Sequence, residues 1–88
     1  MKDFIQLHAN DNVVVALKNL EENTQIEVNG KQIQLKSAIG FGHKIAISPI
    51  RAGEKVLKYG LSIGSATKDI IAGEHVHVQN VETDYSFK

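Results

Sequence analysis

The chain has 88 residues, enough for one domain and too few for two. Hydrophobic residues make up 42%, which excludes a disordered chain, and a domain this short buries only roughly 60–65% of its unfolded surface, which leaves little room for a large enclosed active site. Lys and Arg number 10 and Asp and Glu number 10, five of each in either part of the chain when it is divided after Lys44, so neither nucleic acid nor an anionic membrane is an expected partner.

There is no Cys, which removes disulfides, thiolate nucleophiles and thiolate-bound zinc or iron–sulfur clusters from consideration. No apolar run approaches the ~20 residues of a membrane span, and the N-terminus carries no secretory apolar segment; the expected compartment is the cytoplasm.

In chain order, Lys2 to Ala9 reads as a strand through Phe4, Ile5 and Leu7. Asn10 or Asp11 can then cap a helix, since the side-chain oxygen accepts an orphan backbone N–H. Val13, Ala16, Leu17 and Leu20 follow at the i, i+3, i+4, i+7 spacing of an amphipathic stripe, which predicts one short N-terminal helix. The three valines oppose it on propensity alone.

Gln25 to Lys36 predicts a hairpin. Ile26, Val28, Ile33 and Leu35 alternate with polar residues around Asn29-Gly30, a pair that tolerates the positive φ angles of a two-residue turn. A weak internal repeat covers much of the chain. Segments beginning at Leu20, Ile39, Ile50 and Ile70 each place Asn or Gly three residues on, then a strand with a β-branched residue. The Asn or Gly marks a turn at positive φ. Glu54 and Glu74 occupy equivalent turns and are expected to bond the turn backbone. The spacings, 19, 11 and 20, are too irregular for a solenoid and predict strands of a small sheet, each started by the same turn. Pro49 separates two strand candidates. Ser65 to Asp69 predicts a helical turn capped by Ser65. The domain core is expected over residues 2–81, with a fraying tail over 82–88.

His75 and His77 stand two apart on a predicted strand, so their side chains project from one face and could approach one metal or one anion. His43 sits at the matching strand start of another repeat copy and could join them. Solvated histidines on a sheet edge give the same pattern, and both readings stand at this point. Lys44, Lys58 and Tyr59 flank turns, where functional residues concentrate. A cation and a phenol there could hold a carboxylate or hydroxyl of a small acid; on the sequence alone, a solvated lysine and a half-buried tyrosine are the favoured reading. No phosphate-binding glycine motif and no nucleophile elbow occurs, and no residue is assigned a catalytic role.

Five ordered blocks carry a resemblance: His8 to Leu17, Gly42 to Ile47, Gly53 to Gly60, Ile63 to Ala66 and Gly73 to Asn80. Together they resemble the N-terminal domain of the altronate and galactarate dehydratase family, which includes two-subunit sulfolactate sulfo-lyases with this piece as a separate small subunit. The sequence departs from the family pattern at Ala9, where Pro is frequent, and at Gln79, where a third His of an alternating run is frequent. Gln79 is expected to face away from His75 and His77.

The resemblance implies a mainly β, SAF-type β-clip fold over residues 1–88 as a single domain. It implies a small subunit or accessory domain of a carbon–oxygen or carbon–sulfur lyase acting on a sugar acid or hydroxy-sulfonate, such as altronate, galactarate or sulfolactate. Such eliminations need a base for the proton beside the carboxylate and a Lewis acid for the leaving group. The implied cofactor is a divalent metal, iron, held by a large catalytic subunit as partner. His8, Asn12, His43, Lys44, Lys58 and Tyr59 are then expected at a substrate-binding mouth or subunit interface, with His75 and His77 as candidate metal ligands. A free-standing module that binds a sugar acid or a metal is the alternative.

Overall fold

The turn that starts each repeat copy sets the architecture. In the computed structural model, which describes residues 3–83, the third residue after each repeat's first aliphatic has positive φ: Asn23 (69°), Gly42 (82°), Gly53 (88°) and Gly73 (95°). The turns close through backbone bonds from Thr24 N to Glu21 O, His43 N to Gly40 O, Glu54 N to Arg51 O and Glu74 N to Ile71 O. As expected, two carboxylates reinforce them: Glu54 Oε1 accepts from Arg51 N at 2.7 Å and Glu74 Oε1 from Ile71 N at 2.8 Å. The strands β3 (Gln25–Val28), β5 (Lys44–Ala46), β6 (Lys55–Lys58) and β8 (His75–Val76) each begin two residues after the positive-φ position. The repeat starts pair with one another, Leu20 with Ile39 and Ile50 with Ile70, each by reciprocal backbone hydrogen bonds.

The remaining strands are β1 (Phe4–Ile5), β2 (Val13–Ala16), β4 (Lys31–Gln34), β7 (Leu61–Ala66) and β9 (Val81–Glu82). They form a four-stranded sheet in the order β1-β2-β5-β8, a hairpin β3-β4, and a three-stranded sheet β6-β7-β9, with antiparallel pairing throughout. The hairpin turns at Asn29 (φ 53°) and Gly30 (φ 81°), as its sequence predicts.

The predicted N-terminal helix is not formed: Val13–Ala16 is β2, and no α-helix occurs among the described residues. The reason is burial on both faces. Val14 and Ala16 enter a core with Leu20, Ile26, Leu35, Ile39 and Ile45, while Val13 enters a second core with Ala46, Ile50, Val56, Ile70 and Val76. A strand buried on both sides shows a continuous apolar run rather than alternation, and β-branched residues favour the extended chain. The first two repeat copies contribute mainly to one core and the last two to the other, with Ala46 of the second copy crossing into the second core.

Three smaller expectations also change. The first strand is shorter than Lys2 to Ala9, because pairing to β2 covers only Phe4 and Ile5. Ser65 caps no helical turn: it lies in β7, paired with Lys55 and Glu82, and the chain bends after Ala66. Glu82, placed in the expected tail, is held in β9; residues 84–88 of that tail lie outside the described residues. Among the described residues, no helix is long and apolar enough to cross a membrane.

Candidate functional site

Because the repeat turns are equivalent, β5 and β8 start side by side. Their register, Lys44 opposite Val76 and Ile45 opposite His75, brings His43 to the imidazoles that follow Glu74. The ring centroids of His43, His75 and His77 form a triangle with sides of 4.9, 5.5 and 5.6 Å. His43 Nδ1 and His75 Nε2 are 2.8 Å apart, a hydrogen bond.

Its direction follows from Gln79. The Gln79 amide donates from Nε2 to the His75 carbonyl (3.1 Å) and lies 3.2 Å from His75 Nδ1. An amide nitrogen only donates, so His75 Nδ1 accepts, and the proton of neutral His75 resides on Nε2. His75 then donates to His43 Nδ1, which leaves the His43 proton on Nε2. This corrects the expected placing of Gln79. Residues 75, 77 and 79 share one parity, and the turn after β8 folds Gln79 back onto His75.

Asn80, buried to 1% exposure, fixes that turn. Its Oδ1 accepts from His77 N (3.0 Å) and its Nδ2 donates to His75 O (2.8 Å). A buried polar residue satisfied in this way holds a backbone shape, and here the shape presents the histidines.

The charges of this cluster are of one sign. Burial lowers the pKa of His75, and His43, His77 and Lys44 lower it further by repulsion. Burial also lowers the pKa of Lys44, with Lys58 adding to the effect. For His75 the folded state binds its proton more weakly than the unfolded chain does, at an ordinary value of 6.5. The folded state therefore loses stability as pH falls from 6.5 to the lowered value and loses no more below it. Urea midpoints measured from about pH 7.5 to about pH 5 should fall for the wild type and fall less for His75→Gln. Equal slopes would show that His75 takes up its proton without penalty.

A second group surrounds the β6–β7 turn. Tyr59 (φ 59°) and Gly60 (φ 73°) form its two-residue loop, and the Tyr59 side chain is 60% exposed. Asp11, only 5% exposed, accepts from Tyr59 N (Oδ2, 3.0 Å) and Gly60 N (Oδ1, 2.7 Å). Its oxygens satisfy backbone N–H groups as a cap would, but across the fold rather than at a helix. Asn12 bonds β6 in the same way, with Oδ1 accepting from Leu57 N and Nδ2 donating to Lys55 O. His8 accepts from Asn10 N through Nδ1, and its ring lies over Gly60 so closely that a Cβ there would come 2.9 Å from His8 Cδ2. The Lys58 ammonium sits 5.3 Å from the Tyr59 ring centroid.

The residues singled out in the sequence thus fall into two groups. His43, Lys44, His75 and His77 form one, and His8, Asn12, Lys58 and Tyr59 the other, with Lys44 and Lys58 close enough to repel. Asp11 was visible as a capping residue with the wrong partner. Gln79 stood out only as a departure from the family pattern, with the wrong facing, and Asn80 gave no signal beyond its place in the last sequence block.

Both nitrogens of His75 are engaged, one accepting and one donating. A metal on His75 would have to displace His43 or Gln79. Among the described residues, no group of three or more His, Asp or Glu side chains is arranged to hold a metal ion.

Comparison with known proteins adds the family context. The sequence profile of the altronate/galactarate dehydratase SAF domain matches residues 2–84. Altronate dehydratase of Bacillus subtilis (strain 168) is 42% identical over 86 residues, which are 98% of this chain and 17% of that protein. Altronate dehydratase of Escherichia coli (strain K12) is 46% identical over 83 residues, 94% of this chain and 17% of that protein. The (2R)-sulfolactate sulfo-lyase subunit alpha of Chromohalobacter salexigens is 38% identical over 88 residues, 92% of this chain and 94% of that subunit. The chain therefore spans about a sixth of the altronate dehydratases it matches and nearly the whole of the sulfo-lyase subunit.

Proposed function

The chain belongs to the altronate/galactarate dehydratase SAF-domain family, and on that premise we propose that it is the accessory unit of a lyase whose catalytic centre lies in a larger polypeptide. The observation that carries this reading is the composition of its site. Three imidazoles and Lys44 gather at one place, where burial and like charge lower the pKa of His75 and of Lys44. That is a set of hydrogen-bond donors and positive charge, suited to holding an anionic substrate, and among the described residues no carboxylate and base are paired there for chemistry of their own.

The substrate class is a small hydroxy acid, either a sugar acid or a hydroxy-sulfonate. Elimination removes the proton on the carbon beside the carboxylate and breaks the carbon–oxygen or carbon–sulfur bond one carbon further on, releasing water or sulfite. A divalent metal, iron by family resemblance, would supply the Lewis acid for the leaving group, with its ligands in the larger chain. This chain's residues bind and orient. Lys44 and His77 face the acid, the Gln79–His75–His43 array holds His75 neutral, and Asp11, Asn12 and His8 shape the turn that carries Lys58 and Tyr59. The expected compartment is the cytoplasm.

The test is recovery of the tagged chain from its native cell, followed by elimination assays with altronate, galactarate and sulfolactate. A co-purified larger chain with activity supports the reading, and elimination by the isolated chain overturns it.

A second reading, a divalent metal held by His75 and His77, draws on the ring separations of 4.9–5.6 Å. It requires His75 to release one of its hydrogen bonds, and a purified chain that leaves added zinc free in solution would defeat it.

A further inference from the structure

Between β5, β7 and β9 lies an open notch of about 240 Å³, lined by Lys44, Ile63, His77, Val78, Val81 and Thr83. Pockets that enclose a whole small molecule run about 300–1,000 Å³, so this notch suits one end of a ligand. Among the described residues, its two ionisable lining groups are Lys44 and His77, and no carboxylate lines it; Glu82, between Val81 and Thr83 in sequence, does not. Lys44 is half-buried and, among the described residues, paired with no carboxylate, while Lys58 stands near enough to repel it. A partly desolvated ammonium without a counter-charge is unfavourable until an anion arrives. Ile63 and Val78, 37% and 79% exposed, give the rim an apolar edge.

A larger hollow of about 370 Å³ beside β1 and β3 fits less well, because Asp3 and Glu27 line it and would oppose an anion.

We propose that the Lys44–His77 notch is an oxyanion subsite that takes the carboxylate or sulfonate end of a small organic acid. The Lys44 ammonium supplies the charge, His77 a ring N–H, and the rest of the ligand projects out of the notch. The proposal rests on the accessory-unit reading and adds to it the place and polarity of ligand binding.

NMR titration of the ¹⁵N-labelled chain tests it, with sodium glycerate, sodium methanesulfonate and neutral glycerol as probes. Both acids should shift the resonances of Lys44, His77 and Val78 with Kd on the order of 1–10 mM, and glycerol should not. A response to one acid only would identify the end group the notch accepts. Lys44→Gln should weaken binding roughly tenfold or more, and Lys44→Arg should retain most of it. The backbone spectrum of each variant reports whether it folds, and Lys58→Gln serves as a second charge deletion whose effect should be smaller.

Shifts that are absent, equal for glycerol, or unchanged in a folded Lys44→Gln would overturn the subsite. Elimination activity with the larger chain is a separate readout. Activity with a silent notch defeats the subsite alone, whereas elimination by the free chain defeats the reading beneath it.

Discussion

Gly73→Ala should lower the stability of the domain by roughly 3–5 kcal/mol, a large part of the roughly 4–13 kcal/mol available to a chain of this size. Gly73 has φ of 95°, and a Cβ there would lie 2.1 Å from the carbonyl oxygen of Gln34. That oxygen belongs to backbone, so relief requires moving β4 against the turn that starts β8. The repeat supplies the control. Gly53 stands at the same turn position with φ of 88°, and a Cβ there meets nothing within 4 Å. Gly53→Ala should therefore lose only the left-handed backbone penalty, about 1–2 kcal/mol. Urea unfolding of the two variants isolates the close approach from the dihedral angle. Equal midpoints would mean that the contact with Gln34 relaxes freely.

Asp11→Ala should destabilise the fold by about 2–4 kcal/mol, because it removes two charge-assisted hydrogen bonds and leaves the N–H groups of Tyr59 and Gly60 without their acceptor. Tyr59 is a bulky residue at positive φ, a conformation that needs outside support. Asp11→Asn keeps one acceptor oxygen and should lose about half as much. Tyr59→Gly in the Asp11→Ala background should restore about 1 kcal/mol, since glycine carries no left-handed penalty. Denaturant melts of the wild type, Asp11→Ala, Asp11→Asn and the double variant compare these losses. If Asp11→Ala melts with the wild type, the carboxylate does not hold the turn.

These two sites also show where the sequence could be read and where it could not. Asn29-Gly30 and the repeat positions Asn23, Gly42, Gly53 and Gly73 were legible because positive φ selects residue types locally. From the repeat, His43 could be placed at a strand start equivalent to that of His75, which is why the two rings could be expected near one another. β2 was misread because Val13 and Val14 serve opposite cores, and a run apolar on both faces imitates part of a helical stripe. The Asp11 contact spans 48 and 49 residues to Tyr59 and Gly60, and no local pattern reports it. The fold of Gln79 onto His75 depends on Asn80, whose buried side chain is legible only once the turn exists.

On the reading proposed above, this chain supplies binding groups to chemistry performed in a larger polypeptide. The direct measurement is elimination from altronate, galactarate or sulfolactate by the purified chain, by the larger chain recovered with it, and by the two together. No turnover is expected from the 88-residue chain alone, and full activity only from the mixture. Release of water or sulfite by the chain alone would contradict that reading.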